Sequence, residues 1–198
     1  DQADINRNIL AEVVRVERRV NDLLAAWHFH AEIGFREGMY MASTDEIYMT
    51  IKGKGGHGAM PNKTIDPVVL ASQYVLALQT IVSRTEDLTK APVVITVGKF
   101  NGGVRENIIP EEVSFSGTIR TLDAAMQKDV YEKIRRTASN IAEAFGATAE
   151  VVIDNKTLVT YNTPALVSSM IPSLQTAAGT GNVSEGPWTT GAEDFSFF

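Results

Sequence analysis

The order of strand and helix patterns between residues 46 and 154 constrains the fold of this chain more than any other feature of its sequence. Apolar and polar side chains alternate over residues 46–52, "EIYMTIK", which predicts a half-buried strand. Asp66 is a favourable N-cap, and the proline after it suits the first position of a helix. Apolar residues then recur at helical spacing, so we predict a helix over residues 67–89.

A hairpin and a second helix follow this first helix. The segments "APVVITVGKF" (91–100) and "EEVSFSGTIRTL" (111–122) predict two strands, joined by glycines and a proline that favour a sharp turn. A second helix is predicted from Asp123, another good N-cap, to Gly146, which suits the C′ position, and "ATAEVVID" predicts a fourth strand. The order β-α-β-β-α-β is typical of the ferredoxin-like α+β fold, in which two helices cover one face of a four-stranded sheet.

The helix over residues 67–89 carries more apolar surface than one sheet face should cover. Two adjoining stripes at helical spacing contain Val68, Ala71, Val75, Leu78 and Val82 on one side and Leu70, Tyr74, Ala77 and Ile81 on the other. A helix that is apolar over so wide a face needs a second burial partner. Amphipathic spacing also predicts helices over residues 5–27 and within "NTPALVSSMIPSLQTAAG".

Composition excludes several classes of function. The 18 basic and 24 acidic residues give a net charge of −6, so we expect no nucleic-acid partner and no anionic membrane surface. No apolar run approaches the roughly 20 residues that a membrane-spanning helix needs. The chain has no cysteine and therefore no disulfide or thiolate ligand. Its first residues lack the regions of a signal peptide, so we expect a cytoplasmic protein, with export after signal-peptide removal as the alternative.

The stretch "GKGGHGAMPN" (53–62) presents His57, one of three histidines, between a predicted strand and a capped helix. The glycines could serve a tight turn alone. Alternatively, the imidazole could donate a hydrogen bond to an oxyanion or a carboxylate, which it can do in either charge state. The sequence leaves both interpretations open.

Two further polar residues occupy positions where function is conceivable. Asn107, in "GGVRENIIP", could contact a ligand or could simply hydrogen-bond to its own turn. Arg120 lies at the end of a predicted strand, on the face opposite Val113, Phe115 and Ile119, and could be a solvated arginine or a bidentate carboxylate clamp. Together these residues indicate binding of an anionic small molecule. The sequence itself shows no nucleophile, general base or metal-ligand cluster.

The ordered motifs "GFREGMYMASTDEIYMTIKGKGGHGAMPN", "DPV", "GGVRENIIP", "GTIRTLD", "YNTPAL" and "TGAEDFSFF" resemble the dinuclear-metal amidohydrolases of the aminoacylase and carboxypeptidase clan. The nearest branch resembles hippurate hydrolases and auxin-conjugate (IAA-amino acid) hydrolases. The resemblance covers residues 33–198. It implies a βαββαβ lid, over residues 44–155, that forms a homodimer and is inserted in an α/β zinc-peptidase-like catalytic domain, represented here by residues 1–43 and 156–198.

The resemblance also implies roles for single residues. His57 would reach across the dimer and bind the scissile carbonyl oxygen as it becomes an oxyanion, with Asn107 beside the site. Arg120 would bind the carboxylate of a small anionic N-acyl amino acid. Glu193 would be a catalytic residue in a loop of the catalytic domain that borders the metal site. Two divalent ions (zinc, manganese or cobalt) would activate a bridging water. For the helix over residues 67–89, the second burial partner would be the other subunit.

This sequence also departs from the family pattern. The block that carries a Cys-x-His pair and paired glutamates, which supply most metal ligands and the general base, is missing. His30, in "HFHAEIGF", could be a remaining metal ligand or a turn residue. We therefore expect the full-length protein to be a hydrolase and the polypeptide as written to be inactive. The alternative is a non-catalytic dimerisation or ligand-binding module that lacks the metal site.

Overall fold

The computed structural model describes residues 32–197, so the helix predicted over residues 5–27 and the predicted ligand His30 lie outside the described residues. Chain contacts divide the described part into two compact units. The smaller unit contains residues 32–38 and 162–187, and the larger contains residues 39–161 and 188–197. The boundaries predicted from the family resemblance, after residues 43 and 155, stay predictions.

Ten strands and three α-helices are formed within residues 32–197. In chain order the strands are β1 (Ile33–Phe35), β2 (Gly38–Met41), β3 (Thr44–Lys52), β4 (Gly56–His57), β5 (Val93–Gly102), β6 (Ile108–Ile109), β7 (Glu112–Thr121), β8 (Thr148–Thr157), β9 (Thr160–Asn162) and β10 (Val183–Glu185). The helices are α1 (Pro67–Thr85), α2 (Ala124–Ala144) and α3 (Pro164–Ala178), with single 3-10 turns at Pro61–Lys63, Thr180–Asn182 and Asp194–Phe197.

The larger unit contains the predicted ferredoxin-like domain, which we call the lid. Its four long strands form one sheet in the order β5-β7-β3-β8, and every neighbouring pair is antiparallel. Strand β3 lies in the centre, where Ile47 is paired with Gly117 of β7 and Ile153 of β8. Helices α1 and α2 connect the strands in the order β3-α1-β5-β7-α2-β8. The α+β fold predicted from the sequence is therefore confirmed.

Alternation along the strands separates a covered face of this sheet from an open face. The side chains of Ile47, Met49 and Ile51 are buried, whereas Tyr48, which lies between two of them, is about half exposed. Both helices pack on the covered face, where their apolar side chains complete one core. The open face has no helix of the lid against it, so its side chains are available for contacts outside the lid.

Helix α1 is shorter than its sequence prediction, and part of its apolar surface is covered within the chain. It ends at Thr85 rather than at residue 89, because Asp87 accepts hydrogen bonds from the backbone and hydroxyl of Thr89 and holds a turn instead. Five residues of the two stripes are buried against the sheet and α2, namely Leu70, Ala71, Tyr74, Leu78 and Ile81, whereas Val68 is exposed and Val75, Ala77 and Val82 are only partly buried. Helix α2 is therefore one further burial partner of α1, and the second subunit as partner for the remaining apolar surface stays a prediction.

The predicted starts of α1 and α2 and the predicted end of α2 are confirmed by their capping contacts. Asp66 accepts a hydrogen bond from the backbone of Val68 at 2.9 Å, and Asp123 accepts one from Met126 at 2.8 Å. Gly146 follows α2 with a φ of 69°, a left-handed conformation that favours glycine. The capping side chains satisfy backbone donors that would otherwise be unpaired at the helix starts.

The smaller unit pairs the parallel strands β1 and β10 and contains α3. Arg36 donates to the carbonyl of Gly186 at 3.0 Å, and the Ser168 hydroxyl donates to Glu37 at 2.6 Å, so polar contacts hold distant segments of this unit together. The predicted helix after residue 162 is confirmed as α3. Within residues 32–197, no helix is both long and apolar enough to cross a membrane.

Candidate functional site

One end of the lid sheet, which we call the tip (residues 53–62 and 103–110), brings His57 and Asn107 close together. Strand β4 pairs with β6, so that His57 lies opposite Ile108, and the backbone N–H of Gly58 donates to the carbonyl of Asn107 at 2.8 Å. Residues that are far apart in sequence are thus joined by backbone hydrogen bonds.

The imidazole of His57 is exposed, and a local contact assigns its tautomer. Its Nδ1 atom accepts a hydrogen bond from the backbone N–H of Ala59 at 3.1 Å. In the neutral ring only the nitrogen without a proton can accept, so this contact assigns the proton to Nε2. His57 can therefore offer an Nε2–H donor to an oxygen atom of a ligand.

The glycines of this loop permit close backbone packing rather than an unusual conformation. A Cβ atom on Gly53 would lie 2.1 Å from the carbonyl oxygen of Ile65, and one on Gly55 would lie 2.9 Å from that of Ile109. Between residues 53 and 58 no glycine has a positive φ. The glycines thus fix the loop against its neighbours by close backbone packing.

Asn107 is exposed, and its contacts bear on the two interpretations left open by the sequence. Its backbone carbonyl is used by Gly58, as described above. Among the described residues no hydrogen bond joins the Asn107 side chain to its own turn. The side-chain amide is therefore available to a ligand, although its binding role stays a prediction.

Arg120 lies at the opposite end of the same sheet. Strand β7 begins at Glu112, which pairs with Lys52 just before the His57 loop, and Arg120 is eight residues further along. At about 3.3 Å per residue in a strand, roughly 26 Å separate Arg120 from the tip. One small ligand cannot contact both His57 and Arg120 of the same chain.

The guanidinium of Arg120 is half-buried on the open face, where it donates to the hydroxyl of Thr44. Its neighbour on the other side is Val94 of β5. Across residues 32–197 no carboxylate lies within the 4.0 Å of an ion pair with Arg120. This cation is therefore available to bind an anion that the described part of the chain does not supply.

A buried polar cluster lies beneath Arg120, on the covered face, at what we call the base of the lid (residues 43–45, 119–121 and 155–157). The carboxylate of Asp45 is fully buried and accepts hydrogen bonds from the Gln127 amide at 3.0 Å and the Asn155 amide at 2.6 Å. The Ser43 hydroxyl lies 2.9 Å from that of Thr121. The sequence prediction missed this cluster, although Asp45 continues the face of Ile47 and Met49 and could have been recognised as a buried carboxylate.

Tyr131 of α2 adjoins this cluster. Its hydroxyl is buried and has no hydrogen bond of ordinary geometry to any described residue. Burial, followed by the nearby Asp45 carboxylate, raises the pKa of the Tyr131 phenol above its usual range. The phenol therefore remains neutral at ordinary pH.

The predicted catalytic residue Glu193 has only local contacts among the described residues. It is exposed, and its carboxylate accepts a hydrogen bond from the backbone of Asp194 at 3.0 Å. Residues 32–197 contain no group of three or more His, Cys, Asp or Glu side chains that could hold a metal ion. A complete ligand set for two divalent ions is therefore not present within residues 32–197.

The fold and the two polar ends define a class of protein, a ferredoxin-like lid with a histidine loop at its tip and an arginine at its base. Residues 44–145, more than half of the chain, match the sequence profile of the M20 Peptidase dimerisation domain. The chain belongs to the M20 peptidase family. The clan predicted from the motifs is thus confirmed, while the hippurate and auxin-conjugate branch stays a prediction.

Two curated relatives illustrate the activities found in the family. An N-acetyldiaminopimelate deacetylase of Geobacillus sp. (strain WCH70) is 37% identical over 163 residues, which cover 80% of this chain and 43% of the relative. Thermostable carboxypeptidase 2 of Saccharolobus solfataricus is 35% identical over 164 residues, which cover 82% of this chain and 41% of the relative. The chain therefore spans less than half the length of these relatives.

A solved structure supports the same relationship. The YXEP protein of Bacillus subtilis, described as a dinuclear metal binding peptidase of the M20 family, superimposes with a TM-score of 0.66 at 28% sequence identity. The match covers 83% of this chain and 40% of that protein. These relatives are hydrolases, which supports the predicted class of metal-dependent amidohydrolase or peptidase.

Proposed function

We propose that the full-length protein is a metal-dependent amidohydrolase that cleaves the amide bond of N-acyl or N-aroyl amino acids, or of related small amides. The observation that carries this proposal is the Arg120 guanidinium, which faces the open side of the lid sheet without a carboxylate partner among the described residues. Deacetylase and carboxypeptidase activities are named for relatives of this chain, and both produce a free amino acid or a derivative of one.

The active site in this proposal combines residues from two copies of the chain. Because roughly 26 Å of strand separates the tip from the base, a small substrate can contact His57 and Arg120 together only if they come from different lids. The Peptidase dimerisation domain supports a homodimer as the source of the second lid. His57 and Asn107 would then serve the site of the partner chain, and Arg120 would serve its own.

Each residue has a separate task in this composite site. Arg120 would bind the substrate carboxylate through parallel hydrogen bonds, for which a guanidinium is better suited than an ammonium group. The Nε2–H of His57 would donate to the carbonyl oxygen as negative charge develops there, and the Ala59 contact keeps that proton on Nε2. Asn107 would orient the substrate beside the imidazole.

Two divalent ions, zinc, manganese or cobalt, and a bridging water would complete the site. When bound, such ions polarise the carbonyl and activate the water. Residues 32–197 do not fit this role, because they contain no set of ligands for an ion. We assign the metal ligands to the catalytic domain of the full-length protein, and we expect the 198-residue polypeptide by itself to be inactive.

Release of free amino acid by the full-length protein tests this proposal. A panel of N-acetyl, longer N-acyl and N-benzoyl amino acids, assayed with zinc, manganese or cobalt, is expected to include substrates. Arg120→Ala should raise KM strongly for substrates with a free carboxylate and hardly at all for their amidated analogues. An absence of hydrolysis across the panel would contradict the function, and equal effects on both substrate classes would contradict the clamp.

A non-catalytic dimerisation or ligand-binding module is the second candidate. It is favoured by one observation, the lack of a metal-ligand set within residues 32–197. This candidate predicts a stable dimer without bound metal and without hydrolysis in the full-length protein. Metal analysis separates the two candidates, because two equivalents of metal per chain would support the enzyme and contradict the module.

A further inference from the structure

We propose that Thr44 is a positioning residue for Arg120 and that the buried Asp45 cluster holds Thr44 in place. This inference rests on the proposed function, since it concerns the residue assigned to the substrate carboxylate. Two features would act on Arg120 in turn. A hydroxyl orients the guanidinium, and a buried polar network fixes the strand that carries this hydroxyl.

The direct contact lies on the open face of the sheet. The Nη1 atom of Arg120 donates to the hydroxyl of Thr44, which lies beside it on the neighbouring strand. A long arginine side chain loses considerable rotamer freedom when it binds a ligand. A hydroxyl that already restricts the guanidinium reduces this loss, so the carboxylate meets a preorganised donor.

The residues on both sides of Thr44 are anchored on the covered face. Ser43 donates its backbone N–H to the carbonyl of Thr121 at 2.8 Å, and its hydroxyl lies 2.9 Å from that of Thr121. Asp45 accepts from Gln127 of α2 and from Asn155 of β8. Because Thr121 follows Arg120 directly, the same network holds both chain segments that form the Thr44–Arg120 contact.

The strand that leaves the lid is joined to the same position. The backbone N–H of Thr44 donates to the hydroxyl of Thr157 at 3.0 Å, and Asn155 reaches Asp45 from the same strand, β8. The start of β3, the end of β7 and the end of β8 therefore meet at Thr44 and Asp45. Loss of the Asp45 carboxylate would loosen all three segments at once.

The nearest acidic side chain on the open face does not compete for Arg120. Glu46 lies two residues beyond Thr44 on β3, and its carboxylate accepts from the Tyr48 hydroxyl at 2.6 Å and lies 3.5 Å from Lys156. This hydrogen bond to Glu46 raises the pKa of Tyr48, so the phenol keeps its proton. Glu46 is thus engaged elsewhere, and the guanidinium stays available at an orientation set by Thr44.

The test compares Thr44→Val with Thr50→Val in the full-length enzyme. Thr50 is a matched control because it lies on the same strand and the same face as Thr44 but pairs with Ser114, far from Arg120. Thr44→Val should raise KM for carboxylate-bearing substrates about tenfold, as expected for losing one hydrogen bond to a charged group, with kcat and melting temperature little changed. Amidated substrates should be unaffected, and Thr44→Ser, which keeps the hydroxyl, should restore the wild-type KM.

A second measurement does not depend on activity. In the 198-residue polypeptide, ¹⁵N relaxation of the Arg120 Nε–Hε group reports the mobility of the guanidinium. We expect it to be restricted in the wild type and in Thr50→Val, and markedly more mobile in Thr44→Val and Asp45→Asn. The Asp45→Asn change should also lower the melting temperature, because an amide replaces a carboxylate that accepts from two other amides.

The outcomes separate this inference from the proposed function. Suppose that Thr44→Val and Thr50→Val give the same KM and the same Arg120 mobility, while Arg120→Ala still raises KM for carboxylate-bearing substrates only. Thr44 then does not position the clamp, and the proposed function stands. If Arg120→Ala affects carboxylate and amidated substrates equally, the clamp itself is wrong. A selective tenfold effect of Thr44→Val, absent in Thr44→Ser, supports the inference.

Discussion

The tip and the base of the lid sheet are built in opposite ways. At the tip, backbone groups make the contacts. Strand β4 pairs with β6, the backbone of Gly58 donates to that of Asn107, and glycines allow neighbouring backbone segments to approach closely. The His57 side chain is left exposed. At the base, side chains make the contacts, and the carboxylate of Asp45 is fully buried among amide and hydroxyl groups.

This difference indicates which kind of substitution each end should tolerate. An exposed polar side chain at the tip, such as that of His57, can be removed without leaving a buried group unpaired, so its loss should spare the fold and affect only the function of that residue. A buried polar side chain at the base, such as that of Asp45, is part of a network in which its removal leaves partners unsatisfied. Stability should therefore depend on backbone geometry at the tip and on side-chain chemistry at the base.

The largest expected effect is on catalysis at the tip. In the full-length enzyme, His57→Ala should lower kcat by roughly 100- to 1,000-fold, the effect of losing one donor to an oxyanion. The melting temperature and metal content should remain unchanged, because the imidazole is exposed and makes only a local hydrogen bond. Asn62→Ala, in the same loop, is the control and should retain activity. A large fall in melting temperature for His57→Ala would show that the tip depends on this side chain for its fold.

The next effect concerns the stability of the base. Asp45→Ala should lower the free energy of unfolding by roughly 2–4 kcal/mol, because the amides of Gln127 and Asn155 would lose their buried acceptor. The adjacent Glu46→Ala is the control. It removes only a partly exposed carboxylate and its surface contacts, and should change stability by about 0.5 kcal/mol or less. Equal losses in denaturant unfolding would contradict the contrast between a buried and an exposed carboxylate.

A backbone change at the tip should have a smaller but measurable effect. In Gly53→Ala the new Cβ would approach the carbonyl oxygen of Ile65 far too closely, so the loop must shift at a cost of roughly 1–3 kcal/mol. In Gly98→Ala the Cβ would meet no atom within 4 Å, and stability should hardly change. Thermal unfolding of the two variants provides the comparison. If Gly53→Ala is as stable as Gly98→Ala, the loop is not held by close backbone packing.

The smallest effect is the pH dependence near the base. The hydrogen bond from the Met126 backbone, followed by Lys90, lowers the pKa of Asp123, which therefore stabilises the fold above its unfolded pKa of about 3.9. This contribution is lost as pH falls through the depressed folded-state pKa. Asp123→Ala should cost about 1 kcal/mol at pH 7, the usual loss for an N-cap, and this difference should shrink below pH 4. Denaturant unfolding of the wild type and the variant at pH 7 and below pH 4 measures this difference. A difference that persists below pH 4 would contradict the contribution assigned to the ionised Asp123.

The sequence was sufficient to predict much of the lid because its elements follow local rules. Each of these elements is indicated by a few neighbouring residues: the alternation over residues 46–52, the caps at Asp66 and Asp123, and the glycine after α2. All of these predictions are confirmed. The end of α1 was misplaced because the turn held by Asp87 interrupts an apolar spacing that continues to Leu88. Local patterns thus predict the presence of a helix or strand better than they predict the residue at which it ends, because competing side-chain contacts can end it earlier.

The arrangement of the candidate site could not be read from the same patterns. The closeness of His57 to Asn107 and the distance of both from Arg120 depend on strand pairing, which involves residues far apart in sequence. The cluster around Asp45 was missed because its donors come from α2 and β8, more than 80 residues away along the chain. A buried carboxylate on an apolar strand face was the only local signal.

The central claim, that one active site combines the tip of one chain with the base of another, is tested most directly by mixing two impaired variants of the full-length enzyme. In a mixed dimer of His57→Ala and Arg120→Ala chains, one of the two sites would receive an intact His57 from one chain and an intact Arg120 from the other. With random exchange about half of the dimers are mixed, so activity on a carboxylate substrate below its KM should recover to roughly a quarter of the wild-type value. No recovery above the separate variants, despite confirmed subunit exchange, would show that His57 and Arg120 serve the same chain or different functions.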